Sequence, residues 1–205
     1  MIAIIDYDAG NIKSVEKALE YLHADYILTK DPEKLLAADH VILPGVGAFG
    51  DAMEKLHASG LVPVISRIIR AGIPFLGVCL GLQLLFEESE EAPGVAGLGI
   101  LKGRVLKIPE AEGLKIPQIG WNSLRFPNRG RLFEGIDEDA FVYFVHSYYL
   151  KAADPSIVTA TCEYGVTVHA SVESGNIFAC QFHPEKSSET GLAILKNFIA
   201  VQKEG

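Results

Sequence analysis

The feature that most restricts this chain is an apolar stretch of 14 residues from Ile73 to Phe86, interrupted only by Pro74, two glycines and Gln83. It falls short of the ~20 residues that a membrane span needs, so it reads as buried core. Within it, Phe75-Leu-Gly-Val78 is apolar on both faces, which is the pattern of a central parallel strand. Leu80 to Glu87 reads as a helix, with no turn residue between strand and helix. A strand that runs straight into a helix at the centre of a core calls for an architecture built from alternating strands and helices.

The rest of the first half supplies that alternation. Ile2–Asp6 reads as a strand, and a helix follows from about Asn11 to His23, where Ile12, Val15, Leu19 and Leu22 repeat at helical spacing. Tyr26–Leu28 and Val41–Leu43 are further strands. Between them, Asp31-Pro32 has the form of an N-cap with Pro at the first helical position. A helical region spans roughly Asp51 to Ala71, broken near Gly60 to Pro63 and closed by Gly72. Such a series predicts a doubly wound α/β sheet. After about residue 98 strands and turns take over: Val105–Ile108, Gln118–Trp121, Phe141–Tyr148, Ile157–Cys162, Val166–Val172 and Ile177–Gln181. Glu163-Tyr-Gly165 and Ser174-Gly-Asn176 read as hairpin turns. A last helix covers about Ser188 to Gln202. The strand-rich half is expected to extend the same sheet, giving one domain over residues 1–205.

Composition narrows the function. Eighteen Lys and Arg against 26 Asp and Glu give a net charge of −8. The basic residues are scattered, so nucleic acid is not an expected partner. The chain opens on a strand-like run without a basic region or cleavage site, which points to the cytoplasm and away from membranes. Three cysteines, Cys79, Cys162 and Cys180, are an odd and sparse set, so reduced thiols are expected.

One of those thiols stands in a chemically suggestive place. Gly77-Val78-Cys79-Leu80-Gly81 has the form of a nucleophile elbow, where a strand turns sharply into a helix and flanking glycines avoid clashes. The turn lifts the sulfur to the C-terminal edge of the sheet, where α/β folds place their sites. It also sets the thiol at a helix N-terminus, which favours thiolate. The competing reading is a buried core cysteine closing a strand.

A base is available in Gln181-Phe182-His183-Pro184-Glu185. Pro184 biases His183 towards extended backbone, and residues i and i+2 of an extended segment face one side. Glu185 can then hold one imidazole nitrogen while the other faces the thiol, as in triad chemistry. The alternatives are a surface loop, or a metal pair from Cys180 and His183; no second ligand pair accompanies the latter, and no metal is expected. Pro44-Gly45-Val46-Gly47 supplies glycines directly after a strand. Its amides, with that of Leu80, could hold an oxyanion. A phosphate loop is the other reading, but the Gly-Lys-Ser/Thr ending is missing.

Together these pieces resemble the triad-type (class I) glutamine amidotransferases, and Gln83 matches that family's G-x-C-x-G-x-Q pattern. Most members carry His where this chain has Leu82. Leu82, Pro44-Gly-Val-Gly-Ala-Phe49, Gly120-Trp-Asn122, His146-Ser-Tyr-Tyr149, Gln181-Phe-His-Pro-Glu-Lys-Ser-Ser188, Asp6-Tyr7 and Gly10-Asn11 resemble one branch, the glutaminase subunits of imidazole glycerol phosphate synthases. The resemblance implies a flavodoxin-like, mainly parallel open sheet with added antiparallel strands. It implies Cys79, His183 and Glu185 as the triad, and Val46, Gly47 and Leu80 as the oxyanion hole. Glutamine would be held by Gly45, Gln83, Glu91, His146 and Ser147, with no cofactor; Glu91 can also be read as a plain surface charge.

The implied chemistry is attack by the Cys79 thiolate on the side-chain amide of glutamine, protonation of leaving ammonia by His183, and hydrolysis of the thioester. In the family a peptide of the Gly45–Gly47 loop must turn to present its N–H. Ammonium has no lone pair, so free release at neutral pH wastes the product, and a partner is implied. By resemblance this is a cyclase subunit with a (βα)8-barrel fold, forming a heterodimer and making imidazole glycerol phosphate and an aminoimidazole carboxamide ribotide. Asn11, Trp121, His146 and Lys186 match positions near that interface; for Trp121 a packed core position is the alternative. Rival readings are the ammonia-supplying subunit of another triad amidotransferase and a catalytically silent regulatory subunit.

Overall fold

The computed structural model describes residues 1–8 and 12–203. The first half runs β1 (Ile2–Ile5), α1 (Lys13–Tyr21), β2 (Tyr26–Thr29), α2 (Pro32–Leu36), β3 (His40–Leu43), α3 (Phe49–Ala58), α4 (Leu61–Arg70), β4 (Phe75–Val78) and α5 (Leu80–Leu84). The second half is β5 (Glu88–Ser89), β6 (Gly103–Lys107), β7 (Gln118–Ser123), β8 (Phe141–His146), β9 (Tyr148–Ala152), β10 (Val158–Glu163), β11 (Thr167–Ser174), β12 (Ile177–Cys180) and α6 (Ser188–Ala200).

Seven strands form the main sheet in the order β10-β11-β12-β4-β3-β1-β2. Its β2, β1, β3, β4 and β12 lie parallel, and β11 and β10 add an antiparallel edge. Strands β1, β3, β4 and β12 are buried along their whole length, as strands covered on both faces must be. Alternation divides their side chains between two cores. Ala3, Ile5, Val41, Leu43 and Phe75 pack towards α2, α3 and α4. Ile2, Ile4, Ile42, Leu76 and Phe178 pack towards α1 and α6.

Local signals act as their chemistry predicts in several places. The Asp31 carboxylate accepts the Glu33 N–H at 2.9 Å, with Pro32 at the first helical position. The predicted break between α3 and α4 is confined to Ser59 and Gly60; Pro63 sits in the first turn of α4, where its missing N–H is not needed.

Three expectations are corrected. The helix after Cys79 ends at Leu84 instead of Glu87. The carbonyls of residues 84–87 turn out to meet amides of Gly97, Leu98, Gly99, Ile100 and Leu101, which end the helix from outside it. The run Phe141–Tyr148 is two strands broken at Ser147, with β8 pairing β7 and β9 pairing β6. The strand-rich half therefore extends the main sheet only through β10 to β12; β5-β6-β9 and β7-β8 form two small sheets of their own.

Candidate active site

At the end of β4 the chain turns at Cys79 with φ 54° and ψ −109°, a strained conformation for a residue with a side chain. The surroundings enforce it. The Cys79 N–H donates to the Cys180 carbonyl at 2.8 Å on neighbouring β12. A Cβ on Gly77 would lie 2.7 Å from the Gly81 carbonyl oxygen, and one on Gly81 only 2.1 Å from that of Leu43. The two elbow glycines are needed because backbone packs on backbone there. Cys162 and Cys180 are buried free thiols held in the protonated form by burial, Cys162 up to about 12. Cys180 lies wholly within the core.

His183 is extended (φ −100°, ψ 97°), and its Nδ1 lies 2.8 Å from Glu185 Oε1. Its backbone N–H donates to the Tyr143 carbonyl at 2.9 Å, while the buried Ser187 hydroxyl donates to the His183 carbonyl at 2.6 Å. The segment is thus clamped to β8 before any side chain acts. With Nδ1 committed to Glu185, Nε2 is the nitrogen left free for Cys79, which lines the same cavity. Burial opposes the imidazolium, but hydrogen bonds and charge from Cys79 and Glu185 outweigh it and raise His183 to about 10. A positive ring against the sulfur is the arrangement that stabilises a thiolate.

These groups open on a cavity of about 320 Å³. Val46, Gly47, Cys79, Leu80 and His183 line it on the elbow side, and Gln83 and Glu91 line it further along. His146, Ser147 and Lys186 also lie in the wall. Gly45 is buried beneath, where a Cβ would meet Leu80 Cβ and Gly81 N at 2.7 Å. In this conformation the Gly45 carbonyl accepts the Leu80 N–H at 3.4 Å, so an amide expected to serve as an oxyanion donor is already engaged. The Glu91 carboxylate is no loose surface charge; it accepts the Phe49 N–H at 2.9 Å, at the start of α3.

His146 is buried, with Nδ1 on the Tyr148 carbonyl and Nε2 on the Gln118 side chain, both at 2.8 Å. Burial lowers it to about 4, so the ring is neutral and Nδ1, facing a carbonyl, carries its proton. The atom placed against Nε2 is Gln118 Oε1; a neutral ring with its proton on Nδ1 requires that amide turned over so that its nitrogen donates instead. Trp121 is half exposed on β7, packed edge-on against Tyr143 at 5.9 Å, which answers the core alternative. Asn11 lies outside the described residues. Tyr7 is a contributor the sequence reading left without a role: its hydroxyl donates to the Pro44 carbonyl at 2.9 Å and braces the glycine loop. Among the described residues no group of three His, Cys, Asp or Glu could hold a metal ion, and no helix is long and apolar enough to cross a membrane.

The model of the family "Glutamine amidotransferase class-I" matches residues 3–201. The chain belongs to the class-I glutamine amidotransferase family. Among its relatives in that family, imidazole glycerol phosphate synthase subunit HisH of Moorella thermoacetica is 53% identical over 197 residues, covering 96% of this chain and 93% of that one. The protein of the same description from Methanothermobacter thermautotrophicus is 52% identical over 203 residues, 98% of each. Among solved structures, a glutamine amidotransferase superposes with a TM-score of 0.74 at 19% identity, covering 98% of this chain and 100% of the other. The PurLQS structure from Thermotoga maritima gives 0.72 at 22%, covering 97% and 96%. These distant amidotransferases share the fold; the relatives at half identity share the sequence.

Proposed function

We propose that this chain is the glutaminase subunit of an imidazole glycerol phosphate synthase, hydrolysing glutamine through a thioester on Cys79 and passing ammonia to a cyclase. The observation that carries the chemistry is the clamped His183, bonded to Glu185 through Nδ1 and lining the same cavity as Cys79. The thiolate attacks the amide carbon, and the His183 imidazolium protonates the departing ammonia. The neutral ring then takes a proton from the water that attacks the thioester.

The oxyanion needs the Leu80 N–H, which the Gly45 carbonyl holds here. In a trans peptide the carbonyl and the next N–H point in opposite directions. Turning the single Gly45–Val46 peptide therefore withdraws the carbonyl and swings the Val46 N–H inward, giving two donors at once. One such donor is typically worth ~10²–10³ in rate. The isolated chain should accordingly show weak glutaminase activity, rising by roughly that factor when the loaded cyclase is added. Equal turnover with and without the cyclase would count against the turning peptide.

For the partner, the observation is a ribbon with two unlike faces. In β7 and β8, Val142, Phe144, His146 and Gln118 point inward. Ile119, Trp121 and Phe141 are 63%, 51% and 57% exposed. An apolar face of this kind is a surface for a protein partner. We assign to it the cyclase, with a (βα)8-barrel fold, in a cytoplasmic heterodimer; Lys186 lies on the segment clamped to the same ribbon. The deciding experiment is Cys79→Ala in the reconstituted pair. Glutamine-dependent synthesis should vanish while synthesis from added ammonium persists. Retention of glutamine-dependent synthesis would overturn the mechanism.

A further inference from the structure

Gln181 follows β12 directly and is completely buried. Its backbone N–H donates to the Ala170 carbonyl at 2.8 Å, extending the β11–β12 pairing by one residue. Its side chain lies between two others: Nε2 is 3.8 Å from Cys79 Sγ, and Oε1 accepts from Gln83 Nε2 at 3.0 Å. The same Gln83 nitrogen donates its second hydrogen to the Tyr148 carbonyl at 3.0 Å.

The order of these contacts fixes which end of each amide is the donor. A backbone carbonyl can only accept, so Gln83 must turn its NH2 towards Tyr148. That NH2 also meets Gln181, whose nearer atom must then be oxygen. The Gln181 NH2 is left facing the sulfur. A buried N–H aimed at sulfur favours the anion over the neutral thiol. The Val145 carbonyl, 3.8 Å from the same atom, acts in the opposite sense, because it accepts from S–H and repels a thiolate.

We propose that Gln181 is a further catalytic residue, a fixed donor to the Cys79 sulfur, aligned by Gln83 and the Tyr148 carbonyl. It rests on the reading of Cys79 as the nucleophile and adds what His183 cannot give. His183 loses its proton to ammonia and must then act as a base, so its charge is absent while the thioester is hydrolysed. The Gln181 N–H stays, and supports sulfur as a leaving group throughout. A corollary follows for Gln83: with both hydrogens committed, it offers glutamine only its Oε1, an acceptor suited to an N–H of the substrate.

The test is the pH profile of Cys79 alkylation by iodoacetamide in the full chain, read by intact mass with Cys79→Ala as the blank. The near-isosteric Gln181→Met should move the acid limb up by about one pH unit, about tenfold slower below it, with an unchanged alkaline plateau. Gln83→Met, which releases the Gln181 amide to rotate, should move it in the same direction by less; it decides the question alone if Gln181→Met does not fold. Profiles coincident with the unsubstituted protein would overturn the proposal. Because neither glutamine nor the cyclase takes part, this result is separate from the synthesis assay of Cys79→Ala.

Discussion

His183 shows how two neighbours settle the state of one ring. Glu185 holds Nδ1, the sulfur faces the other nitrogen, and together they override burial. Glu185→Gln keeps the shape but removes the charge, so the ring should lose its proton at a lower pH. We expect kcat to drop by about 10³-fold and the alkaline limb of the rate profile to move below its original position. An unchanged limb would mean that Glu185 does not set the charge of His183. Much of this was legible beforehand. Pro184 keeps His183 extended, as expected, and the flanking glycines single out Cys79; Glu185, however, lies in a 3-10 turn over Pro184–Lys186, so a turn and not strand alternation brings its carboxylate beside the ring. Gln181 was visible only as a polar letter in an apolar run, since its significance depends on Gln83 and Tyr148, which come from distant parts of the chain. Glu91 stayed ambiguous for the same reason, because its partner is the Phe49 amide 42 positions away.

Elements misread from the sequence are those whose ends are set by other segments. Nothing between Leu80 and Glu87 stops a helix; the amides of residues 97–101 do. Ser147 does not look like a break either, yet it separates strands belonging to different sheets. The β7–β8 ribbon carries its own prediction. Ile119→Glu places a charge on the exposed face without disturbing the buried one. It should weaken the heterodimer at least tenfold by titration calorimetry and leave the circular dichroism spectrum intact. Undiminished affinity would remove this face as the docking surface. On the glycine loop, Gly45→Ala forces a Cβ into Leu80 and Gly81. It should cost roughly 1–3 kcal/mol of stability, measured by denaturant unfolding.

Across the whole molecule, the two site histidines place limits on stability at opposite ends of the pH scale. His183 has a raised folded-state value, so its contribution is full below about 6.5 and is lost as pH climbs through about 10. His146 is depressed to about 4, so its contribution is full above about 6.5 and is lost as pH falls towards 4. That acid-side loss amounts to about 3 kcal/mol. His40 and His169, both lowered by burial, act in the same direction. Unfolding free energy should therefore fall between pH 6.5 and 4, and less steeply in His146→Asn; equal slopes would exclude His146 as a source. At this scale the parallel core was readable from fully apolar runs, whereas the two small sheets were not, because their strands alternate just as an edge of the main sheet would.

The ribbon of β7 and β8 has a consequence for how such a protein can change. Side chains alternate along both strands, so inserting or deleting one residue would exchange the faces of the strand it falls in: in β7 it would turn Gln118 outward and bring Ile119 and Trp121 inward, and in β8 it would turn His146 outward. Point substitutions can retune either face separately. A change in length cannot, since it exchanges the two faces of its strand in a single event. Variation in this stretch should thus accumulate by replacement of residues, with strand length kept constant wherever both duties are retained.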